Sequence, residues 1–263
     1  MSDKNYKDKP SFDLTGRLII VTGASAGIGR EIAKSYANEG AKVVISGRRQ
    51  EPLDELASEL NGKAQTCDIT VDGDIENLFK VAKDTYGKVD IAINTTGMYE
   101  PGPLNELTRD HLRKYTEVSF IGPTIFIREA ANIMENGGSI ITTTSVTVEL
   151  SAVGLSAYVG TKAGTDKVVQ IAAKEYQHKG LKINSLSPGL VDTPMTGALF
   201  DMDGPIKAMT KESPLGRLAN VQDVANTAVW MASDDCFTTG DLIRVSGGIQ
   251  LNRLPTQEEM YGQ

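Results

Sequence analysis

Cysteine is nearly missing from this chain. Its 263 residues hold only Cys67 and Cys236, far apart and with no C-x-x-C pair. That excludes a disulfide-stapled framework and a cysteine-based zinc site. Histidine is as scarce, and His111 and His178 stand isolated, so no metal role is assigned. No apolar run approaches the roughly 20 residues that span a bilayer. Met1 to Pro10 are polar and charged with no apolar core, unlike a secretory signal. A loose arm over residues 1–13 and a cytoplasmic location are therefore expected. An excess of positive charge is absent too: 27 Lys and Arg face 34 Asp and Glu, for a net charge of −7. Neither nucleic acid nor a membrane is expected as a partner, and the short Arg48-Arg49 cluster suits a small anion. The remaining composition is that of an ordinary globular protein, 40% hydrophobic and 23% charged, at a length common for one α/β domain.

Ordered structure is expected from about Arg17. Leu18-Ile19-Ile20-Val21 is a short continuous apolar run, the pattern of a strand buried on both faces. It leads straight into Thr22-Gly23-Ala24-Ser25-Ala26-Gly27-Ile28-Gly29 and then a helix-like stretch over 30–38. Strand, glycine turn and helix together bring backbone N–H groups and a helix N-terminus close to a nucleotide pyrophosphate. The spacing is G-x-x-x-G-x-G, not the commoner G-x-G-x-x-G. A second strand over 41–46 exits through Gly47-Arg48-Arg49. An acidic residue near this point takes the ribose 2′-hydroxyl of NAD, whereas arginine favours the 2′-phosphate of NADP. Here Gly47 stands in the acid's place, so NADP(H) is expected over NAD(H).

The alternation continues with helices over 51–60 and 73–86 and strands over 63–67 and 89–94. One long helix over 108–132 follows, then a strand over 138–144, a helix reaching about 178, and a strand over 181–187. With no repeats or long linkers, this pattern predicts an α/β fold. The expected form is a single-domain Rossmann-type doubly wound parallel sheet over residues 14–249, with helices on both faces.

The segment 145–162 concentrates reactive side chains. Tyr158 and Lys162 are four apart and project from the same face of a helix. An ammonium about 4 Å from a phenol favours the phenolate by roughly 4 kcal/mol at an effective dielectric near 20, or about three pKa units. That would move a tyrosine toward neutrality, where a general acid/base works best. Ser145, at the end of a β-rich run, offers a hydroxyl to the same reacting oxygen. A Tyr-x-x-x-Lys pair is common by chance and, taken alone, reads more readily as a packed aromatic and a solvated charge.

In order and spacing, the motifs resemble the short-chain dehydrogenase/reductase family over most of the chain, from about Leu14 to Gly248. The resemblance rests on Thr22-Gly-Ala-Ser-Ala-Gly27-Ile-Gly29, Asp68, and Asn94-x-x-Gly97. It continues through Ser145 thirteen residues before Tyr158, then Lys162, Pro188-Gly-Leu-Val-Asp-Thr193-Pro194, and Gly240 to Gly248. It implies that Tyr158 exchanges the proton of a carbonyl or hydroxyl oxygen, that Ser145 positions that oxygen, and that Lys162 tunes the tyrosine and holds the nicotinamide ribose. It further implies cofactor contacts from Gly23, Ser25, Ala26, Gly27, Ile28 and Gly29, from Arg48 and Arg49, from Asp68, Ile69, Asn94 and Gly97, and from Tyr158 and Lys162. Pro188, Gly189, Val191 and Thr193 would border the carboxamide.

Three positions depart from the family pattern. Ser119 occupies the place of an asparagine associated with a proton-relay water. Thr95-Thr96 replaces Asn-Ala. Position 26 is alanine, where NADP-preferring members often carry a basic residue. A lid is expected near 194–213, and an apolar substrate pocket from Met98, Val146, Val153, Leu190, Met195 and Leu199. The expected activity interconverts a mainly apolar ketone and a secondary alcohol. The alternatives are a 3-ketoacyl-carrier-protein or thioester reductase and a non-catalytic cofactor-binding sensor. Apolar residues on more than one side of the Tyr158 helix, together with the resemblance, imply a homodimer or homotetramer, with the tail over 250–263 reaching a neighbouring subunit.

Overall fold

The short apolar runs assemble into one parallel sheet. The computed structural model describes residues 12–135 and 137–262, so the arm expected over 1–13 lies almost wholly outside the described residues. The strands are β1 (Leu18–Thr22), β2 (Lys42–Gly47), β3 (Lys63–Thr66), β4 (Ile91–Asn94), β5 (Ser139–Thr143), β6 (Lys182–Pro188) and β7 (Leu242–Val245). Their spatial order is β3-β2-β1-β4-β5-β6-β7, every neighbouring pair parallel. β1, β4 and β5 are buried at every residue, because helices cover both faces.

One face is covered by α1 (Gly27–Asn38), α2 (Gln50–Leu60) and α9 (Val221–Ala232), which bury Ile32, Tyr36, Leu53 and Val224 in one cluster with Ile19, Val43 and Ile141 of the sheet. The other face is covered by α3 (Asp74–Tyr86), α5 (Gly122–Ile133) and α6 (Ser156–Glu175), with Phe79 and Phe126 in contact between them. Along α6, Val169 and Ala172 are buried while Ile171 is half exposed. Strand order reverses between β1 and β4. The carboxyl ends of the strands open a crevice at that switch point. Among the described residues no helix is long and apolar enough to cross a membrane.

The helix expected over 108–132 is interrupted. α4 (Arg109–Thr116) and α5 are joined by a π turn, Glu117–Ile121, in which the Gly122 N–H reaches back to the Glu117 carbonyl. Pro123 supplies the physical reason. It has no N–H for the carbonyl of Ser119, four residues earlier, and its ring crowds that carbonyl, so the ladder widens. Thr165 of α6 takes the freed Ser119 carbonyl with its hydroxyl at 2.5 Å.

The segment after β6 carries α7 (Gly197–Phe200) and α8 (Asp203–Glu212), and the chain ends in α10 (Gln257–Tyr261). The tail folds onto α8 of its own chain. Asn252 donates to the Glu212 carbonyl at 3.0 Å, Arg253 pairs with the Glu212 carboxylate at 3.4 Å, and a Cβ on Gly204 would overlap the Met260 carbonyl oxygen.

Candidate active site

The loop between β1 and α1 sets the floor of the crevice. Gly23 and Gly27 hold φ of 78° and 56°, a left-handed backbone that side chains resist. A Cβ on Gly29 would collide with the Gly23 carbonyl oxygen and the Thr95 hydroxyl. That hydroxyl donates to the Thr22 carbonyl at 2.6 Å, tying the loop after β4 to the end of β1. Ala26 at the N-cap of α1 supplies no side-chain cap, so the first-turn N–H groups of the helix remain free for an anion.

These residues end a cavity of about 860 Å³ that crosses the strand ends. Gly23, Ser25, Ala26, Gly27, Ile28 and Gly29 line one part, with Arg48, Arg49, Asp68 and Ile69 beside them. Gly97, Met98, Ser145, Tyr158, Lys162, Pro188, Gly189, Val191, Thr193 and Met195 line the rest. A close-packed glycine cradle at an uncapped helix start fits the pyrophosphate of a dinucleotide cofactor.

Not every residue singled out by sequence is free to face a ligand. Asn94 is fully buried behind the cavity wall, where its carbonyl oxygen accepts from the Thr22 hydroxyl at 2.8 Å and from the Thr96 N–H at 3.1 Å and hydroxyl at 2.7 Å. It stitches strand ends together. The Asp68 carboxylate lines the cavity but accepts from the N–H and hydroxyl of Thr70 at 3.0 and 2.8 Å, a turn cap. Ser119 is fully buried on the π turn, and its hydroxyl has no hydrogen-bond partner. Of the expected substrate residues only Met98 and Met195 line the cavity. Val146 is buried at the start of a short 3₁₀ turn, Val153 is 76% exposed, and Leu190 and Leu199 are half-buried away from the lining.

α6 brings Tyr158 and Lys162 to the crevice from one side, and the end of β5 brings Ser145. Burial pushes the Tyr158 phenol above its ordinary value. A hydrogen bond with Ser145 opposes this, and the neighbouring Tyr115 adds to it. Ser145 is itself oriented by the Thr147 N–H at 3.2 Å and hydroxyl at 2.9 Å. Lys162 is only 3% exposed, and burial pulls its ammonium down to about 8. Its Nζ donates to the Thr143 carbonyl at 2.7 Å and the Thr96 carbonyl at 3.4 Å.

This corrects the simple charge argument. Lys162 donates its ammonium to backbone carbonyls, and desolvation pushes the phenol up, not toward neutrality. The Thr143 and Thr96 carbonyls as partners of Lys162, and Tyr115 beside Tyr158, were not legible in the sequence. The first two act through backbone carbonyls, which no side-chain motif announces. Tyr115 becomes visible only where α4 folds over the loop after β4.

A dinucleotide cradle, a buried lysine and a phenol facing one crevice define a nicotinamide-cofactor oxidoreductase of Rossmann type. A family model described as enoyl-(acyl carrier protein) reductase matches residues 23–250. Gluconate 5-dehydrogenase of Gluconobacter oxydans is 34% identical over 254 residues, covering 92% of this chain and 97% of the relative. The 7alpha-hydroxysteroid dehydrogenase of Escherichia coli is 32% identical over 244 residues, covering 89% and 94%. The structure of a short-chain type dehydrogenase/reductase from Mycobacterium ulcerans matches with a TM-score of 0.90 at 27% identity, over 94% of each chain. The chain belongs to the short-chain dehydrogenase/reductase family and is an oxidoreductase of CH–OH groups that uses a nicotinamide cofactor.

Proposed function

We propose that this enzyme is NADP(H)-dependent and interconverts an uncharged, mainly apolar ketone with its secondary alcohol. Tyr158 is the general acid/base. The observation that carries the reading is that Tyr158, an oriented Ser145 and buried Lys162 line one cavity with the glycine cradle, Lys162 lying one helical turn from Tyr158. Bound nicotinamide supplies the hydride in reduction and accepts it in oxidation.

The protein does the rest. In reduction the Tyr158 hydroxyl donates its proton to the carbonyl oxygen, while the Ser145 hydroxyl holds that oxygen in place. Burial keeps the phenol protonated, which is the state reduction needs. Lys162, fixed on Thr143 and Thr96, would hold the nicotinamide ribose.

The cofactor preference is supported by the exit of β2. Arg48 and Arg49 are exposed and line the cavity, and Arg49 donates to Ser25 of the glycine loop at 3.2 Å. Two loops thus present a basic rim, with Gly47 where a carboxylate would repel a 2′-phosphate. Met98 and Met195 make the substrate end apolar. Lys114, which also lines the cavity, is paired with Glu100 at 2.5 Å, which disfavours an anionic carrier or thioester substrate.

Fluorescence titration with NADPH and NADH, then turnover on a ketone panel with the tighter cofactor, tests this. NADPH should bind at least about tenfold more tightly, corresponding to roughly 1.4 kcal/mol. Tighter NADH binding would remove the role given to Arg48 and Arg49. Turnover confined to anionic thioesters would remove the substrate class.

A further inference from the structure

The Tyr158 ring is held from two sides by other tyrosines. Tyr99, on the loop after β4, meets it at a centroid distance of 6.0 Å and an interplanar angle of 86°. Tyr115, on α4, meets it at 6.4 Å and 73°. Both are edge-to-face geometries, the arrangement aromatic pairs favour. Tyr115 is 2% exposed, and its hydroxyl is used twice: it accepts from the Glu100 N–H at 2.6 Å and donates to the Glu100 carbonyl at 2.9 Å. Glu100 directly follows Tyr99. Both backbone groups of one residue are therefore anchored next to the ring that packs on Tyr158. Lys114 spans the same gap to the Glu100 carboxylate, a second tie between α4 and the loop.

We infer that Tyr115 is a positioning residue: by anchoring Glu100 it sets Tyr99, and the two tyrosines clamp the Tyr158 ring in one orientation and away from water. The inference rests on the reading of Tyr158 as the proton donor, but the clamp exists without substrate and is measured without it.

Among the described residues, Tyr99 and Tyr115 pack against the phenol ring, Ser145 faces the same cavity from the end of β5 and draws the phenol's pKa down, and Lys162 lies one turn along α6. Glu100 and Lys114 reach it only through Tyr115, and Tyr261 of α10 only through Tyr99. The sign then follows. Opening the clamp hydrates the phenolate and removes the unfavourable Tyr115 interaction, so both effects lower the pKa.

The test is an ultraviolet tyrosinate titration of the full-length protein and of Tyr115→Phe, which keeps the ring and loses the anchor. Each curve is corrected by its Tyr158→Phe counterpart and read only over the pH range where circular dichroism stays native. The Tyr158 ionisation should begin about one pH unit lower in Tyr115→Phe, by the loss of desolvation. Tyr99→Leu leaves the Glu100 anchor intact and should produce the same downward shift, which keeps the test decisive if Tyr115→Phe fails to fold. Coincident curves, or an upward shift, overturn the clamp even if the melting temperature falls, since packing alone would lower stability without moving the titration. Absence of ketone turnover in the wild type would sink the proposed activity and leave this result standing.

Discussion

Lys162 carries a cost that its neighbours reveal. It is buried with carbonyl partners and no carboxylate, so the charged form is disfavoured and its pKa falls to about 8. The unfolded chain holds that proton to a higher pH. Below about 8 both states are protonated and the penalty of the buried ammonium is fully present; it is relieved as pH rises from there toward the ordinary lysine value. Removing the charge in Lys162→Met should therefore change how stability depends on pH. Chemical denaturation is expected to show the variant's stability relative to wild type dropping by roughly 3 kcal/mol between about pH 7 and pH 10. A pH-independent difference would mean the ammonium is not desolvated. The pairing of Tyr158 with Lys162 was legible as helix spacing, but its electrostatics was not. Spacing places two side chains on one face, whereas the partners that compete for the lysine come from β5 and from the loop after β4.

Among the elements, the β1–α1 turn was the most legible, because its glycines are dictated by local geometry that repeats wherever a backbone approaches a phosphate. Gly29 shows how tight that geometry is: any Cβ meets the Gly23 carbonyl and the Thr95 hydroxyl together. Gly29→Ala should displace the turn, abolish NADPH binding in a fluorescence titration, and cost about 2 kcal/mol or more of stability by overpacking. Retained NADPH affinity would show that the turn is not the phosphate cradle. The π turn was not legible. Apolar periodicity through 108–132 reads as one helix, and only the contact of Thr165 with the Ser119 carbonyl shows where Pro123 sends the break. α9 also went unread, although Asn220 and Asp223 form a reciprocal capping box at its start, a signal open to sequence inspection.

At the scale of the whole molecule, strand order and cavity position followed from the strand–helix alternation, since parallel crossovers leave few topologies. The far end of the chain was harder to read. Sequence pattern does not show that the segment after β7 holds both ends of α8 in its own chain, through Glu212 and Gly204. The place of Met98 and Met195 in the cavity wall is set by such long-range packing, about which side-chain type alone says little. The fold, the crevice and the cofactor cradle converge on one phenol. The measurement that tests this most directly is ketone reduction by Tyr158→Phe, beside NADPH affinity for the same protein. Turnover should fall at least about 100-fold while the NADPH dissociation constant stays within about twofold, as expected for loss of the acid hydroxyl with the ring retained. Wild-type turnover in Tyr158→Phe would contradict the account.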